Sequence, residues 1–313
     1  MLKFIAKRAV AGAGLLFLIP SLAFALMHLS SDGVARQLLG RMATQEQIAA
    51  KTAELGLDKP FFEQYINWLG HALQGDLGAS WYTSEPVFQA LTTRLPVTLS
   101  LVGLTTIIAA VVSIILGLTS AIFRGWLDKL VQIVAIVGFA LPGFWLALVL
   151  VTALAVRLGW FPATGYVPFG VSLSGWAESL TLPVLSLSLG AVAAAAQQIR
   201  SAVIDVLRQD WVRTLRSRGL PRRSVIFKHV LRSAGVSGLT VLGLQFVGLI
   251  GGAVFVERIF ALPGIGQMIV QSTSQGDVPF VLGVVVVTTI IVVVVNLLID
   301  LGIGFLNPKA RLT

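Results

Sequence analysis

Between Val281 and Ile299 the chain reads VLGVVVVTTIIVVVVNLLI, without one charged side chain. In water so many β-branched residues favour a strand, but an apolar run of this length reads as a helix in lipid. Five other stretches share its character: Ala9–Leu29, Val97–Phe123, Leu130–Val156, Leu180–Ile199 and Gly235–Val256; the sixth is completed as Val281–Leu306. A helix crossing a hydrocarbon core about 30 Å thick needs about 20 such residues. A charge at mid-bilayer costs about 2.5–3.5 kcal/mol, which accounts for the lack of charge in these runs. Only 12% of the 313 residues are charged, against about one quarter in soluble domains. The expectation is an all-α polytopic membrane protein with six transmembrane helices.

The first run needs a check against a cleaved signal. Lys3, Lys7 and Arg8 precede it, and Ala23-Phe24-Ala25 has the small-residue spacing of a cleavage site. Its length exceeds the usual 7–15 apolar residues of a signal core, so it reads as a retained span, kinked at Pro20. Lys and Arg set orientation. With the N-terminus inside, 16 basic residues fall on inner segments and seven on outer ones, while ten acids lie outside and four inside. Both termini are therefore expected in the cytoplasm. The net charge of +9 is then an insertion signal, which argues against a nucleic-acid partner.

Several chemistries are missing. There is no cysteine, which removes disulfides, thiolate metal sites and cysteine nucleophiles. No stretch fits G-x-x-x-x-G-K-[ST], so the chain should not hydrolyse ATP by itself. His28, His71 and His229 stand far apart, with no ligand pair at helical spacing. No catalytic or metal-binding set emerges. Within the spans the polar side chains are Gln197, Gln198, Gln245, Asn296 and Asp300. Asn296 and Asp300 share a helix face, which suits either a structural or neighbouring-chain contact or a functional acid. So few ionisable groups argue against an ion-driven secondary transporter, and no dyad supports an intramembrane enzyme. Gly248 and Gly252 form a G-x-x-x-G pair of the kind that lets two helices approach; with Gln245 they are candidates for the translocation pathway or helix contacts.

Residues 30–95 form the one sizeable segment on the outer side. Thr44-Gln45-Glu46-Gln47 fits a capping box, Gly56 a helix stop, and Asp58-Lys59-Pro60 a second start. Phe61, Tyr65, Trp68 and Leu69 share a face, expected on the membrane surface or the outer mouth of the spans.

On the inner side, residues 208–232 read RQDWVRTLRSRGLPRRSVIFKHVLR. Gln209 to Arg218 can form a short helix with Trp211, Thr214, Leu215 and Arg218 on one face, while Arg213, Arg216 and Ser217 point elsewhere. Gly219 is placed to stop it, and Pro221 opposes continuation. Three roles compete: a helix on anionic headgroups, a set of charges that only fixes orientation, and a knob for a cytosolic partner with an aromatic anchor inside a charged rim.

Longer stretches narrow the choice. LGLDKPFFEQYINWL, GDLGASW, RLPVTLSL, DWVRTLRSRGL, FVERIFALPGIGQMIV and NLLIDLGIGFLNPKAR occur in this order. Through them nearly the whole chain resembles the membrane subunit of peptide-type ABC importers, the dipeptide/oligopeptide/nickel permease family. The resemblance implies a type I ABC importer transmembrane fold. Residues 1–29 would hold the N-terminus and first span, 30–95 the outer segment, 96–306 a five-helix core with a coupling loop at about 200–232, and 307–313 a cytoplasmic tail. Asp210, Trp211, Val212, Arg213, Thr214, Leu215, Arg216, Ser217, Arg218 and Gly219 would form the coupling helix, seated in a groove of an ATP-binding subunit. Where the wider importer pattern has Glu-Ala-Ala six residues before the glycine, this chain has Arg213-Thr214-Leu215. Pro263, Gly264 and Gly266 would belong to an outer gate element, or to a plain tight loop. The implied partners are a second homologous permease, one or two kinds of cytosolic ABC ATPase and an extracytoplasmic binding protein. ATP and Mg would be used by the ATPases, with no cofactor on this chain. The implied location is the bacterial inner membrane, and the implied cargo is di- and oligopeptides, with nickel chelates, glutathione or another small solute as alternatives.

Overall fold

The computed structural model describes residues 2–29, 33–40, 42–123 and 125–306. Arg41, Arg124 and the tail 307–313 with Lys309 and Arg311 lie outside the described residues, as does the side chain of Lys3. The regular structure among the described residues is helical, with one isolated bridge between Ala79 and Pro86. Its helices are α1 (Leu2–Leu29), α2 (Val34–Leu39), α3 (Gln45–Glu54), α4 (Phe61–Leu73), α5 (Val87–Ile122), α6 (Trp126–Ala140), α7 (Gly143–Leu150), α8 (Leu173–Leu207), α9 (Asp210–Ser217), α10 (Arg222–Ser224), α11 (Leu231–Ile259), α12 (Ile265–Gln275) and α13 (Val278–Leu306). A π-helical turn, Val151–Arg157, extends α7, and another, Val225–Val230, joins α10 to α11.

Among the described residues five helices are long and apolar enough to cross a membrane: Ala6–Leu29, Val87–Ile122, Leu173–Leu207, Arg222–Ile259 and Val278–Leu306. The sixth expected span, Leu130–Val156, is not one straight helix. Trp126–Ala140 and Gly143–Arg157 meet at 95°. Pro142 lacks an N–H and forces the preceding residue out of helical geometry; Leu141 accordingly sits in an extended conformation at φ −84°, ψ 120°. Hydropathy is continuous across this break and does not reveal it.

The helices fall into two compact units, one of residues 97–263 with 2–7 and 294–306, the other of residues 8–96 and 264–293. In the first unit α8 is the hub, packed against α6, α7 and α11. Its buried side is rich in small residues, among them Ala191, Ala193, Ala195 and Ala196. They let α5 come close: a Cβ on Gly117 would stand 2.9 Å from the Ala196 carbonyl oxygen. Beyond this contact, Leu118, Ala121, Ile199, Val203, Val206 and Val225 form an apolar core that continues into the basic loop.

In the second unit the capping box forms as expected: Gln47 N–H donates to Thr44 Oγ1 and Thr44 N–H to Gln47 Oε1. Helix α4 starts after Pro60, and its Phe61, Tyr65 and Trp68 all stack around Phe24 of α1, with ring centroids 5.4–5.6 Å apart. The aromatic face therefore covers another helix. Helix α5 begins at Val87, well before the expected Val97, and runs through Pro96. Burial of Val87, Ala90 and Leu91 against Ile265, Met268 and Phe280 offsets the cost of that proline.

Candidate functional site

The basic loop builds a short, firmly rooted helix. Helix α8 ends at Leu207, and Gln209 turns extended as the N-cap of α9. Asp210 in the first turn and Arg216 in the last both complement the helix dipole. At the other end Gly219 adopts φ +79°, a conformation costly for any residue with a Cβ. Its N–H donates to the Arg216 carbonyl at 3.0 Å, and Leu220 N–H donates to the Leu215 carbonyl at 3.3 Å. These two bonds make a Schellman end, with Leu215 and Leu220 packed on the same core. Pro221 then starts α10.

Val212 is the root. It is fully buried between Val206, Val225, Val230 and Ala234, with Leu215 partly buried beside it. Trp211 is 37% exposed, its indole N–H donating to Gln209 Oε1. Arg213, Thr214, Arg216, Ser217 and Arg218 are exposed. The face expected to hold Trp211, Thr214, Leu215 and Arg218 is thus divided: Leu215 turns inward with Val212, one turn apart, and the others stay outside. The reason lies in the partner elements. The core that receives Val212 comes from α5, α8 and the Val225–Val230 turn, so helix periodicity within α9 does not announce it. Trp211 also edges a groove of about 400 Å³ lined by Lys228, His229 and Arg232. The outer side of α9 is an aromatic ring inside a cationic rim.

A bidentate ion pair stands near this root. Arg200 of α8 donates to Asp128 of α6, which also accepts from Ser120 of α5. Three helices are joined by one carboxylate.

A second feature lies on the first unit's α6, α8 and α11. A cavity of about 700 Å³ is lined by Ala135, Phe139, Ala193, Gln197, Gln198 and Gln245. Gln245 Nε2 donates to the Ala191 carbonyl at 2.9 Å, while its Oε1 is buried without a hydrogen-bond partner. The three glutamines expected inside the spans are brought together here. Asn296 and Asp300, on α13, do not border the cavity. Gly248 has open space around its Cα, and Gly252 meets only Leu187 at ordinary contact distance. Closer glycine approaches occur elsewhere in the chain, among them Gly117 to α8, Gly243 to Ile299 and Gly283 to Val87.

The segment after α11 turns at Ala261, whose φ is +51°, with Leu262 N–H donating to the Glu257 carbonyl. Pro263 and Gly264 lead out of that turn into α12, where Gly266 is buried. The left-handed turn residue is thus Ala261, two residues ahead of Pro263. Glu257, just before it, is fully buried and accepts from Thr98 Oγ1 at 2.5 Å. An acid inside the run GGAVFVERIF was the available signal for this contact.

Comparison with known proteins follows the same lines. The family described as "Binding-protein-dependent transport system inner membrane component" matches residues 113–312, and its N-terminal companion matches residues 1–102. The chain is 40% identical over 312 residues to a protein of Brucella abortus (strain 2308) named as a peptide transport system permease protein, covering 99% of each. It is 31% identical, over 99% of each chain, to the glutathione transport system permease protein of Escherichia coli (strain K12). Among solved structures it is similar to a chain of the MetNI methionine ABC transporter in an inward-facing conformation. There the TM-score is 0.58 at 18% identity, over 72% of this chain and all of that one. Spans, fold and full-length likeness agree, and the chain belongs to the family of inner membrane components of binding-protein-dependent transport systems.

Proposed function

We propose that this chain forms half of the translocation pathway of an ATP-driven importer for di- and oligopeptides in a bacterial inner membrane, with α9 as its docking helix for a cytosolic ATPase. The observation that carries the proposal is the division of α9: Val212 is locked into the core of α5, α8 and α11, while Trp211 and the arginines face outward. A helix rooted in this way transmits a push to the spans, whereas one lying loosely on lipid would slide. The exposed indole in a cationic rim suits a protein groove.

In this reading a second homologous permease completes the pore, and an extracytoplasmic binding protein delivers cargo. Two ATPases bind ATP and Mg, close on each other and carry the two α9 helices with them. The movement passes through the Val212 core to α8 and α11, whose glutamines line the cavity. Hydrolysis, carried out by the ATPases and not by this chain, resets the cycle. Coupling between sites is reciprocal for binding, so a docked, loaded binding protein and the closed ATPases favour the same state. Neutral amides at Gln197, Gln198 and Gln245 suit peptide cargo, because they meet its backbone without selecting side-chain charge. Glutathione, a tripeptide derivative, is the second reading. It rests on the full-length likeness to the Escherichia coli protein.

The test uses the complex reconstituted in liposomes. Wild type should show ATP hydrolysis stimulated by the loaded binding protein and uptake of a labelled dipeptide that excess peptide competes away. Trp211→Ala should lose most of the stimulation while remaining membrane-inserted. Full stimulation in that variant would end the docking role of α9, and uptake without any ATPase would end the importer reading. Competition by glutathione alone would select the second cargo.

A further inference from the structure

Helix α4 carries two apolar stripes. Phe61, Tyr65 and Trp68 cover Phe24 of α1. Phe62, Ile66 and Leu73 fall on a neighbouring face, where they are 73%, 64% and 81% exposed. Asn67 and His71 lie about 100° or more around the helix from every member of that stripe at 100° per residue, and Glu63 stands on the same polar side nearer its edge. Packing on α1 thus leaves one greasy side and one polar side.

The depth of the α1 contact says what lies against the greasy side. The apolar part of α1 is 21 residues, Ala9–Leu29, or about 32 Å at 1.5 Å per residue, against about 30 Å of hydrocarbon. Only a few ångströms can project at each end. Phe24 lies about 7 Å and Ser21 about 12 Å inside the Leu29 end. Yet Phe24 is the centre of the α4 packing, and the Tyr65 hydroxyl hydrogen-bonds Ser21 Oγ at 2.6 Å. A helix tied to α1 at those positions sits at the hydrocarbon boundary, the depth of interfacial amphipathic helices. Leu22 and Leu26 of α1, exposed at the same level, extend the apolar surface.

We infer that α4 is half-sunk in the leaflet in which the first span ends, with Phe62, Ile66 and Leu73 against acyl chains and Glu63, Asn67 and His71 toward the headgroups and water. The occupant of the exposed stripe is lipid. The segment acts as a float that fixes the height of the first span, and its aromatic face serves as the clasp between float and span.

The chain's lack of cysteine supplies the test. Nitroxide labels are placed at Ile66→Cys, Phe62→Cys and Asn67→Cys in the complete transporter in phospholipid nanodiscs; identically treated wild-type complex gives the background. Collision rates with oxygen, which concentrates in lipid, and with a water-soluble nickel chelate are then compared. Labels at 66 and 62 should collide several-fold more with oxygen than with nickel, and the label at 67 should show the reverse order. Nickel access at 66 and 62 equal to that at 67 would mean the stripe faces water. Shielding from both reagents would mean that a protein partner covers it. Either result overturns the inference.

Discussion

Arg200 and Asp128 meet through two parallel hydrogen bonds, Nε to Oδ1 at 2.6 Å and Nη2 to Oδ2 at 2.8 Å, with both side chains largely buried. The pair ties α6 to α8 on the unit that carries α9. Removing one partner of a buried pair leaves the other charge uncompensated, which costs about 3–5 kcal/mol. Asp128→Ala should therefore lower the thermal midpoint of the purified chain by many degrees. Arg200→Met combined with Asp128→Leu should recover much of that loss. A double variant as unstable as the single one would show that the pair supplies more than charge balance.

Val212 and Trp211 are adjacent, yet their substitutions should fail differently. Val212→Asp buries an unpaired carboxylate in an apolar core, and a loss above about 3 kcal/mol is expected, seen as low yield and early unfolding. Trp211→Ala removes an exposed ring and should leave the midpoint within about two degrees of wild type, since surface changes stay within about 0.5 kcal/mol. Leu215→Asp, on the packed side, should resemble Val212→Asp. Thermal scans of the three variants in detergent separate these outcomes.

Gly117 and Gly248 give a paired test of helix approach. A side chain at Gly117 meets the Ala196 backbone oxygen and Ile199 Cγ2, both at 2.9 Å, so Gly117→Val should force α5 from α8 at a cost of about 1–3 kcal/mol. Gly248→Ala enters open space and should change the isolated chain's stability by less than about 0.5 kcal/mol. Equal losses at the two sites would contradict the packing described for α5 and α8.

Asp277 lies in the turn between α12 and α13, where it accepts from Ser80 Oγ at 2.5 Å and from Trp81 N–H at 3.2 Å. Burial pushes its carboxyl above the usual carboxylate range, and the hydrogen bonds from Ser80 and Trp81 pull it part of the way back. A carboxyl raised in the folded state binds its proton more tightly there than when unfolded. Its contribution to stability is therefore most favourable at low pH and declines as pH rises through the folded value. Thermal midpoints of wild type and Asp277→Asn should thus diverge as pH rises above about 4, the ordinary carboxylate value, with wild type losing ground. Parallel pH profiles would exclude titration of Asp277 in that range.

The sequence was informative where the governing physics is local. The capping box at Thr44 and Gln47, the helix start at Pro60 and the stop at Gly219 all depend on neighbours within a few residues, and each forms where the sequence places it. The glutamines of the spans were recognisable as polar exceptions, but their convergence on one cavity was not, since Gln197 and Gln245 sit on different helices. Trp211 and Leu215 share a face by periodicity alone, yet the core selects Val212 and Leu215, because three other elements supply the pocket.

By itself the sequence determined that the chain lives in lipid and which runs are apolar enough to cross it, and it set the expectation of which side the basic loop faces. Desolvation of charge and the asymmetry of Lys and Arg act on composition, segment by segment, and need no knowledge of distant contacts. Only the tertiary structure decided that the third span bends by 95°, that Asp128 joins three helices, and that Glu257 and Asp277 are buried against Thr98 and Ser80. Those contacts join residues far apart in the chain, and a buried acid is tolerable only once the fold has brought its donor to it.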